Sequence, residues 1–565
     1  MRRPALRVLI VVACSVLWWG GSAVAQPSAA RPGKAAIASA HPLATEAGHE
    51  ILRAGGNAFD AAVAIAAALA VVEPSGSGLG GGGFFLLHRA ADRFEVMIDA
   101  REKAPLAATR DMFLDERGEP IPRLSLDSAL AAGIPGEPAA LAHLSDRYGR
   151  LPLARSLQPA IRLARDGFPM YARLQAIIQQ KRAVLYRQPH ARRIWLDARG
   201  EVPALGTVIR QPALARTLER LAVRGVAEFY TGQIARQMLR EVKALGGIWS
   251  EQDLAAYRVV ERAPIVGHYR GARIVSAAPP AAGGIALINA LNILSGYDLE
   301  QLDRVTRVHV IVEAMRRMHR DRAIYLGDPD FVSIPIELLT SPAYAAGQRA
   351  ALNLTRALPS ELLPGVAPAQ PAGTQTTHFS VLDADGNRVG ATITLNFLLG
   401  SGLMLKTSGI FLNNQMDDFS IKPGVPNGFQ LLGAEANAIA PGKRMLSSST
   451  PTFVESEHGL MIAGTPGGSY ITGMVLLATL DFLRGRSAAQ IVAAPRFHHQ
   501  YLPDVLQVES GALSDAERAA LAARGHQIRE LRRRWGNMQI VVWDYASGTV
   551  EAASDPRGEG AGQVY

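Results

Sequence analysis

The sequence predicts an α+β fold, with helices concentrated in the first two thirds of the chain and strands in the last third. Amphipathic helical periodicity dominates up to residue 375, whereas runs that alternate apolar and polar residues dominate after it. Of the 565 residues, 48% are hydrophobic and 19% are charged, which is typical of a globular protein. We find no internal repeat in the sequence.

The N-terminus has the layout of a cleaved secretory signal. Three arginines precede an apolar run, Val8–Trp19, which is followed by small residues that end at Ala25. The apolar run is shorter than the roughly 20 residues that a membrane-spanning helix needs, so a membrane anchor is the less favoured alternative. We therefore predict that residues 1–25 are a signal peptide and that the protein is periplasmic or secreted.

The cysteine content and the charge exclude several classes of function. Cys14 lies inside the apolar run, so the predicted mature chain has no cysteine and therefore no disulfide, thiol nucleophile or cysteine-rich metal site. The net charge of +9 falls by three when the signal's arginines leave, and the sequence has no dense Lys/Arg block with interleaved aromatic residues. Nucleic acid is therefore not an expected partner.

The first elements of the predicted mature chain are helical. Residues 26–40 are rich in Ala, Pro and Ser and are expected to form a mobile lead-in. His41–Val72 predicts two packed helices separated by Gly55–Asn57, and the second is apolar on nearly all sides, which indicates burial. A glycine-rich tract then leads into a predicted strand, Phe84–Leu87.

Three glycines of that tract, Gly76, Gly78 and Gly81, match the letters of a dinucleotide fingerprint. The fingerprint requires a strand before it and a helix after it, and here the order is reversed. The glycines are better explained by close approach of one backbone segment to another. We expect no nucleotide and no other cofactor.

Further along, helical patterns extend over residues 139–245 and 303–325, and the second follows a Pro/Ala/Gly tract at 279–294. Pro359–Thr374 carries four prolines and little periodicity, which is typical of a linker. Helices are expected at residues 473–484, 488–493 and 514–524. Strands are expected within residues 376–383, 387–396, 408–414, 448–456, 459–468 and 539–556.

The first two of these strands form a predicted hairpin, because Asp383–Asn387 is a strong turn signal between two alternating runs. The period of two puts Thr394 and Asn396 on the same face of the second strand. Thr376 begins the polar face of the first strand. If the two polar faces coincide, the Thr376 hydroxyl meets Thr394 and Asn396.

A threonine hydroxyl is a weak nucleophile and needs a base, and the sequence has no convincing Ser-His-Asp arrangement. One base that it can use is its own α-amine, which is available only if the preceding peptide bond is cut. A linker that ends at Gln375, followed by Thr376 at the start of a strand, is the layout that such a cut requires. Taken alone, the pattern only suggests such a cut, because most Thr-Thr-His triplets are ordinary strand starts.

Several long motifs resemble, in order, those of the γ-glutamyltransferase family, and the resemblance covers essentially the whole predicted mature chain. They are DAREKAP (99–105), TTHFSVLDADGNRVGATITLN (376–396), GIFLNNQMDDFS (409–420), KRMLSSSTPT (443–452), GTPGGS (464–469), APRFHHQ (494–500) and ASDPR (553–557).

The resemblance implies an αββα sandwich of the N-terminal nucleophile hydrolase type, formed jointly by two chains cut from one precursor. The cut falls between Gln375 and Thr376. It gives a helix-rich large subunit, residues 26–375, and a strand-rich small subunit, residues 376–565. Thr376 is then both the self-cleaving residue and the catalytic nucleophile, and Thr394 orients its hydroxyl.

The resemblance also implies how the amino acid head of a γ-glutamyl group is bound. The head carries one carboxylate and one ammonium, which require partners of opposite charge. The implied carboxylate-binding residues are Arg101, Ser447 and Ser448. The implied ammonium-binding residues are Asn396, Gln415 and Asp418. The backbone N–H groups of Gly467 and Gly468 form the implied oxyanion hole.

Each of these residues alone would more often be a surface ion pair, a turn or a loop cap, and the functional interpretation depends on their occurring together in family order. His498 and His499 are adjacent, but no third ligand follows at a plausible spacing, so we expect no metal. Residues 422–444 resemble the family's lid loop. Phe429 stands where many members have a tyrosine that hydrogen-bonds the site asparagine, so we expect weaker lid closure.

The sequence therefore predicts a self-processing γ-glutamyltransferase and glutathione hydrolase. Its expected partners are glutathione and other γ-glutamyl compounds, amino acid or dipeptide acceptors, and its own two subunits as a heterodimer. One alternative is a related glutaryl or cephalosporin-type acylase, although such a substrate lacks the ammonium that Asn396, Gln415 and Asp418 would bind. The other alternative is an unprocessed, inactive binding protein.

Overall fold

Two stacked β-sheets form the centre of the fold, with helices on both outer faces. The computed structural model describes residues 31–363 and 376–565, and Pro32–Tyr565 form one compact unit. The predicted signal peptide, residues 1–25, and Gln375 lie outside the described residues. Among the described helices, none is both long and apolar enough to cross a bilayer.

The two large sheets are antiparallel throughout. The strands are β1 (Ala36–Ser39), β2 (Gly82–Arg89), β3 (Phe94–Ala100), β4 (Phe168–Pro169), β5 (Val208–Ile209), β6 (Val260–Arg262), β7 (Ile265–Tyr269), β8 (Ala272–Ser276), β9 (Thr377–Leu382), β10 (Arg388–Thr394), β11 (Thr452–Glu455), β12 (Gly459–Gly464), β13 (Phe497–His498), β14 (Leu506–Glu509), β15 (Ile528–Leu531), β16 (Gln539–Asp544), β17 (Val550–Ser554) and β18 (Ala561–Val564). One sheet has seven strands in the order β18-β1-β9-β10-β2-β3-β6, and the other has six in the order β17-β16-β12-β11-β8-β7.

The α-helices occur mainly before residue 364. They are α1 (Pro42–Arg53), α2 (Ala58–Val72), α3 (Leu124–Asp127), α4 (Glu137–Arg147), α5 (Leu153–Ser156), α6 (Gln158–Asp166), α7 (Ala172–Tyr186), α8 (Pro189–Trp195), α9 (Pro212–Arg224), α10 (Ala227–Tyr230), α11 (Gln233–Ala244), α12 (Glu251–Ala256), α13 (Gly283–Leu294), α14 (Arg304–Tyr325), α15 (Ile336–Leu339), α16 (Pro342–Ala350), α17 (Ile471–Phe482), α18 (Ala488–Ala493) and α19 (Asp515–Ala523). Short 3₁₀ turns include Gln415–Asp418 and Gly468–Tyr470.

Alternation along β2 explains the layering. Phe85 and Leu87 pack into the core shared with α1, α2 and the helices around them. Phe84 and Leu86 point the other way, into the core shared with the second sheet and with α13, α14 and α17. The predicted αββα sandwich is therefore confirmed, and both sheets combine strands from before residue 364 with strands from after residue 375.

The two predicted N-terminal helices are confirmed as α1 and α2. Asn57 caps α2 in a capping box with Asp60. The Asn57 side chain accepts a hydrogen bond from the Asp60 backbone N–H, and the Asp60 side chain accepts one from the Asn57 backbone N–H. Every residue of α2 is buried. This helix packs against β9 and β10, and so supports the predicted hairpin from behind.

The glycine-rich tract lies against that hairpin, as the sequence indicated. A Cβ added to Gly81 would lie 2.0 Å from the Thr394 carbonyl oxygen, and one added to Gly76 would lie 2.2 Å from the Thr377 hydroxyl oxygen. No side chain fits at such distances. The glycines therefore allow the backbone to pass directly behind the strands that carry Thr376 and Thr394.

Two expectations from the sequence are wrong, and one helix was not predicted. Part of the expected mobile lead-in is β1, which is buried between β18 and β9 because distant strands pair with it on both sides. The helix that was not predicted is α13, which forms part of the Pro/Ala/Gly tract; its residues are all buried, so packing stabilises it and no amphipathic pattern marks it. Residues 408–414 form no strand and make only an isolated bridge between Phe411 and Met404.

Candidate active site

The register of the β9–β10 hairpin puts Thr376 beside Thr394. Thr377 pairs with Ile393. Thr376, which precedes Thr377, therefore lies opposite Thr394, which follows Ile393. The two hydroxyl oxygens are 3.4 Å apart. The predicted meeting of these two side chains is confirmed, and Thr376 leads into β9, which lies beside the central strand β10 of the seven-stranded sheet.

The end of β10 is held by the loop that contains Asn414. The Thr394 hydroxyl accepts a hydrogen bond from the Asn396 backbone N–H at 2.8 Å. The Asn396 side-chain amide donates to the Asn414 carbonyl oxygen at 2.9 Å. Asn396 has a φ of 80°, a left-handed conformation that asparagine tolerates better than most residues. This turn directs the Asn396 side chain out of the strand and toward the cavity.

Arg101 and Asp418 form a buried ion pair in the cavity, and the Arg101 side chain is fully buried. Arg101 follows β3, and its Nε donates to the Met445 carbonyl oxygen at 3.1 Å. The Gln415 amide donates to the Asp418 carboxylate at 2.8 Å. The 3₁₀ turn Gln415–Asp418 thus presents two of the predicted site residues side by side.

Several buried polar atoms of this group have no hydrogen-bond partner among the described residues. They are Arg101 Nη1, Gln415 Oε1 and Ser448 Oγ. Arg101 Nη1 has a longer contact, 3.5 Å, to the Glu102 carboxylate. Buried donors and acceptors are normally satisfied, so this concentration of unsatisfied atoms indicates a site for a polar ligand.

These side chains line one small cavity with an empty volume of about 300 Å³, open solvent at its mouth included. Its lining contains the predicted residues Arg101, Thr376, Thr394, Asn396, Gln415, Asp418, Phe429, Ser447, Ser448 and Gly468, together with Arg322, Leu431, Ser449 and Ile471. Gly467 lines the adjoining cavity.

The glycine pair has a backbone conformation that requires glycine. Gly467 and Gly468 have φ values of 150° and 56°, in the region that side-chain-bearing residues rarely adopt. A Cβ on Gly468 would also lie 2.5 Å from the Phe429 ring. The pair precedes α17, so its N–H groups belong to the turn that starts this helix.

Arg322 lines the cavity and was missed by the sequence analysis. It lies in the last turn of α14 and is buried. Burial lowers its pKa to about 10, while Asp418 acts to raise it and Arg101 to lower it. Its neighbourhood, RRMHRDR, has the composition of a solvated surface, and no signal in the sequence distinguished it from one.

Phe429 lines the cavity and belongs to the predicted lid loop, residues 422–444. Its ring stacks on Phe397, with centroids 4.4 Å apart and planes 12° from parallel. The neighbouring Gly428 N–H donates to the Asp417 carboxylate at 2.8 Å. Burial raises the pKa of Asp417 to about 7. The lid is thus attached by an aromatic stack and by a hydrogen bond to a buried acid.

Two further acids lie buried behind Arg101. Burial raises the pKa of Glu102 to about 7, while the adjacent Arg101 acts to lower it. Burial also raises the pKa of Glu137 to about 8, and its proximity to Glu102 adds to the increase. Both carboxyl groups are therefore easier to protonate than ordinary glutamates.

His498 and His499 lie outside the cavity lining. Within residues 31–363 and 376–565, two other groups have the spacing of metal ligands: His309, Glu313 and His526, and His88, Glu95 and Glu455. In the first, His309 and His526 are hydrogen-bonded to each other at 2.7 Å, and Glu313 is paired with Arg317 at 2.6 Å. Neither group contributes to the cavity.

Comparison with known proteins assigns this arrangement to a family. The family described as Gamma-glutamyltranspeptidase matches residues 44–565. The glutathione hydrolase proenzyme of Escherichia coli (strain K12) is 44% identical over 529 residues, which are 92% of this chain and 90% of that protein. A cephalosporin acylase from Bacillus halodurans has a similar structure, with a TM-score of 0.81 and 28% identity over 94% of this chain and 95% of that one.

The gamma-glutamyltranspeptidase of Helicobacter pylori has 40% identity and a TM-score of 0.56, and the match covers 58% of this chain and 94% of that one. The family match extends over most of the sequence, including the segments that carry Arg101, Thr376 and Gly467. The chain therefore belongs to the γ-glutamyltranspeptidase family.

Proposed function

We propose that this chain is a self-processing γ-glutamyltransferase and glutathione hydrolase. One observation carries the proposal. The Thr376 hydroxyl shares a small cavity with a buried Arg101–Asp418 pair and with unsatisfied polar atoms of Gln415 and Ser448. The hydroxyl can act as a nucleophile, and the positive and negative charges beside it match the carboxylate and ammonium of an amino acid. The cavity therefore suits a substrate in which the reacting carbonyl is joined to such an amino acid group.

The first step of the proposed mechanism is cleavage of the bond between Gln375 and Thr376. Thr376 Oγ1 attacks the Gln375 carbonyl carbon, the C–N bond breaks, and the hydroxyl proton moves to the released Thr376 amine. Water hydrolyses the resulting ester, which restores the hydroxyl and leaves a carboxylate on Gln375. The products are a large subunit, residues 26–375, and a small subunit, residues 376–565.

In the mature enzyme, the new Thr376 amine is the base. It accepts the hydroxyl proton while Oγ1 attacks the γ-carbonyl carbon of the donor, and Thr394 orients the hydroxyl. The N–H groups of Gly467 and Gly468 stabilise the oxyanion. The amide C–N bond then breaks, and the leaving amine takes the proton. Water or an acceptor amine attacks the ester, the bond to Oγ1 breaks, and a proton returns to Thr376.

The charges in the cavity support recognition of the γ-glutamyl head. Arg101, Ser447 and Ser448 bind the carboxylate, and Arg322 adds a second positive charge nearby. Asp418 binds the ammonium with Gln415 and Asn396. A glutaryl group lacks this ammonium and would leave Asp418 without its ligand, so the residues favour a γ-glutamyl donor over the acylase alternative.

The same proposal extends to partners and location. Glutathione and other γ-glutamyl compounds are the donors, and water, amino acids or dipeptides are the acceptors. The signal sequence at residues 1–25 supports a periplasmic or secreted enzyme. The two subunits remain together as a heterodimer because β1 lies between β18 and β9 in one large sheet and β8 pairs with β11 in the other, so each large sheet contains strands from both.

The proposal is tested by replacing the nucleophile. We expect Thr376→Ala to remain a single band on a denaturing gel and to release no product from γ-glutamyl-p-nitroanilide, whereas the wild type gives two bands and product. Thr376→Ser keeps a hydroxyl and should retain both reactions at reduced rates. Thr407→Ala, at an exposed threonine outside the cavity, is the matched control.

Cleavage of the Thr376→Ala variant at the same bond would refute self-processing by Thr376. A wild-type protein that stays as one band and releases no product would instead favour the inactive binding protein.

A further inference from the structure

A second and larger cavity adjoins the candidate active site. Its empty volume, with open solvent included, is about 1480 Å³, against about 300 Å³ for the active-site cavity. Arg173, Arg533, Arg534 and Trp535 are among its lining residues. We call this space the basic cavity.

The basic cavity meets the active-site cavity at the glycine pair. Gly467 lines the first and Gly468 lines the second. An amide whose carbonyl oxygen lies at this pair has its acyl half in the active-site cavity, where Arg101 and Asp418 are. Its amine half then lies on the side of the glycine pair that faces the basic cavity. The leaving amine and an incoming acceptor amine occupy the same place in the reaction, so both meet this space.

The loop that carries the arginines is fixed relative to the glycine pair. The Asn537 N–H donates to the Thr465 hydroxyl at 3.2 Å, which joins the loop to the segment that leads into Gly467. The Trp535 N–H donates to the Glu509 carboxylate at 2.9 Å. The Arg533 guanidinium lies beside the Tyr470 hydroxyl. The cationic groups are thus held near the reacting amide by a tethered loop.

The charge of the basic cavity is predominantly positive. Four arginines and one glutamate, Glu559, line it. One of the arginines, Arg557, is already paired with Glu509 at 2.6 Å and with Asp555 at 2.9 Å. Arg533 and Arg534 are exposed to solvent, so a ligand can reach them.

We propose that the basic cavity binds the carboxylate of the amine half of the substrate, with Arg533 and Arg534 as its partners. The ligand class is a short peptide or amino acid with a free carboxylate, either as the leaving half of the donor or as the acceptor. Guanidinium groups bind carboxylates through two parallel N–H donors. Ala176 is exposed and Leu398 is half-buried in the same lining, and both are suited to the apolar parts of such a peptide.

This inference rests on the proposed function and is tested with substrates that differ in one carboxylate. The group that leaves glutathione is a dipeptide with a carboxylate, whereas the group that leaves γ-glutamyl-p-nitroanilide is an uncharged amine. The variant is Arg533→Gln/Arg534→Gln, and the readout is the ratio of kcat/KM for glutathione to kcat/KM for the anilide. We expect this ratio to fall about five-fold, the scale of an exposed ion pair.

The acceptor side is measured in the same variant. Transfer from the anilide to glycylglycine should weaken relative to transfer to glycylglycine amide, which has no carboxylate. Arg532→Gln is the matched control, because Arg532 is exposed on the same loop but does not line the cavity. Its ratios should stay within about two-fold of the wild type.

The two levels of failure are distinct. If the wild type turns over both donors but neither ratio changes in the double variant, the basic cavity does not bind the carboxylate. If the wild type turns over neither donor, the proposed function fails and this inference fails with it.

Discussion

At the scale of single residues, Asp418 connects the two charged parts of the cavity. Its carboxylate contacts the Arg101 guanidinium and accepts from the Gln415 amide at 2.8 Å. In the proposed complex it also contacts the substrate ammonium, while Arg101 contacts the substrate carboxylate. In the proposed complex, one carboxylate therefore pairs with the cation of the site and with the cation of the ligand.

Asp418→Asn should lower kcat/KM for γ-glutamyl-p-nitroanilide roughly 100-fold, because a hydrogen bond to a charged group is lost in a buried site. The loss should be much smaller for glutaryl-p-nitroanilide, which has no ammonium. Steady-state kinetics with the two anilides measures the difference. Asp111→Asn is the control, since its side chain is 71% exposed. Equal losses for both anilides would contradict ammonium binding by Asp418.

At the scale of structural elements, the predicted lid, residues 422–444, carries Phe429 where the family resemblance leads us to expect a tyrosine. Phe429 keeps the apolar cover through its stack on Phe397, and the lid backbone is attached to Asp417 through Gly428. A phenylalanine has no hydroxyl, so the side chain contributes no hydrogen bond to closure. Other residues of the segment attach it as well: the Lys422 ammonium donates to the Glu119 carboxylate at 2.8 Å, and the Gln500 amide donates to the Gln430 carbonyl oxygen at 3.2 Å.

Phe429→Tyr should therefore order the lid. We expect slower hydrogen exchange of the peptides that cover residues 422–444 and a lower ratio of hydrolysis to transfer, because the closed lid restricts water. Exchange mass spectrometry and product analysis with glycylglycine measure the two effects. Phe331→Tyr adds the same hydroxyl at a residue that is 47% exposed and should change neither. Identical exchange in the wild type and Phe429→Tyr would refute the expected loose closure.

At the scale of the whole molecule, the proposed cut leaves a sandwich in which the two subunits alternate. The seven-stranded sheet takes β1, β2, β3 and β6 from the large subunit and β9, β10 and β18 from the small one. Separation of the subunits would expose both cores and break the ladders on each side of β1, the ladder between β10 and β2, and the ladder between β11 and β8. The stability of the mature enzyme is therefore that of one cooperative fold, and buried ionisable groups affect it as a unit.

Glu137 provides a test of that stability through pH. Burial raises its pKa in the folded state to about 8, above the ordinary value of 4.5. The folded protein thus binds this proton more tightly than the unfolded chain does, and the contribution to stability is present below pH 4.5 and is lost as the pH rises to 8. Glu137→Gln removes this loss.

We expect the Tm of Glu137→Gln minus that of the wild type to increase from pH 5 to pH 8, as measured by calorimetry at matched ionic strength. Groups common to both proteins cancel in the difference. Glu116→Gln, at an exposed glutamate, should give a difference that does not change with pH. A difference for Glu137→Gln that is flat or falls with pH would contradict a buried neutral carboxyl group at this position.

The hairpin at residues 376–396 was predictable because its information is local. Period-two alternation and the Asp383–Asn387 turn determine which side chains share a face, and the observed register puts Thr376 beside Thr394. The capped helices α1 and α2 were predictable for the same reason. The family motifs then indicated a set of residues, and of those that the structure describes all but Gly467 line the active-site cavity.

The sequence by itself thus determined the hairpin, the first two helices and the family to which the chain belongs. Only the tertiary structure decided that the lead-in contains the buried strand β1 and that Arg322 faces the active site. It also placed the basic cavity at the glycine pair, between α7 and the loop after β15. These features depend on pairings between residues hundreds of positions apart, and local periodicity does not record which distant segment will cover a given side chain.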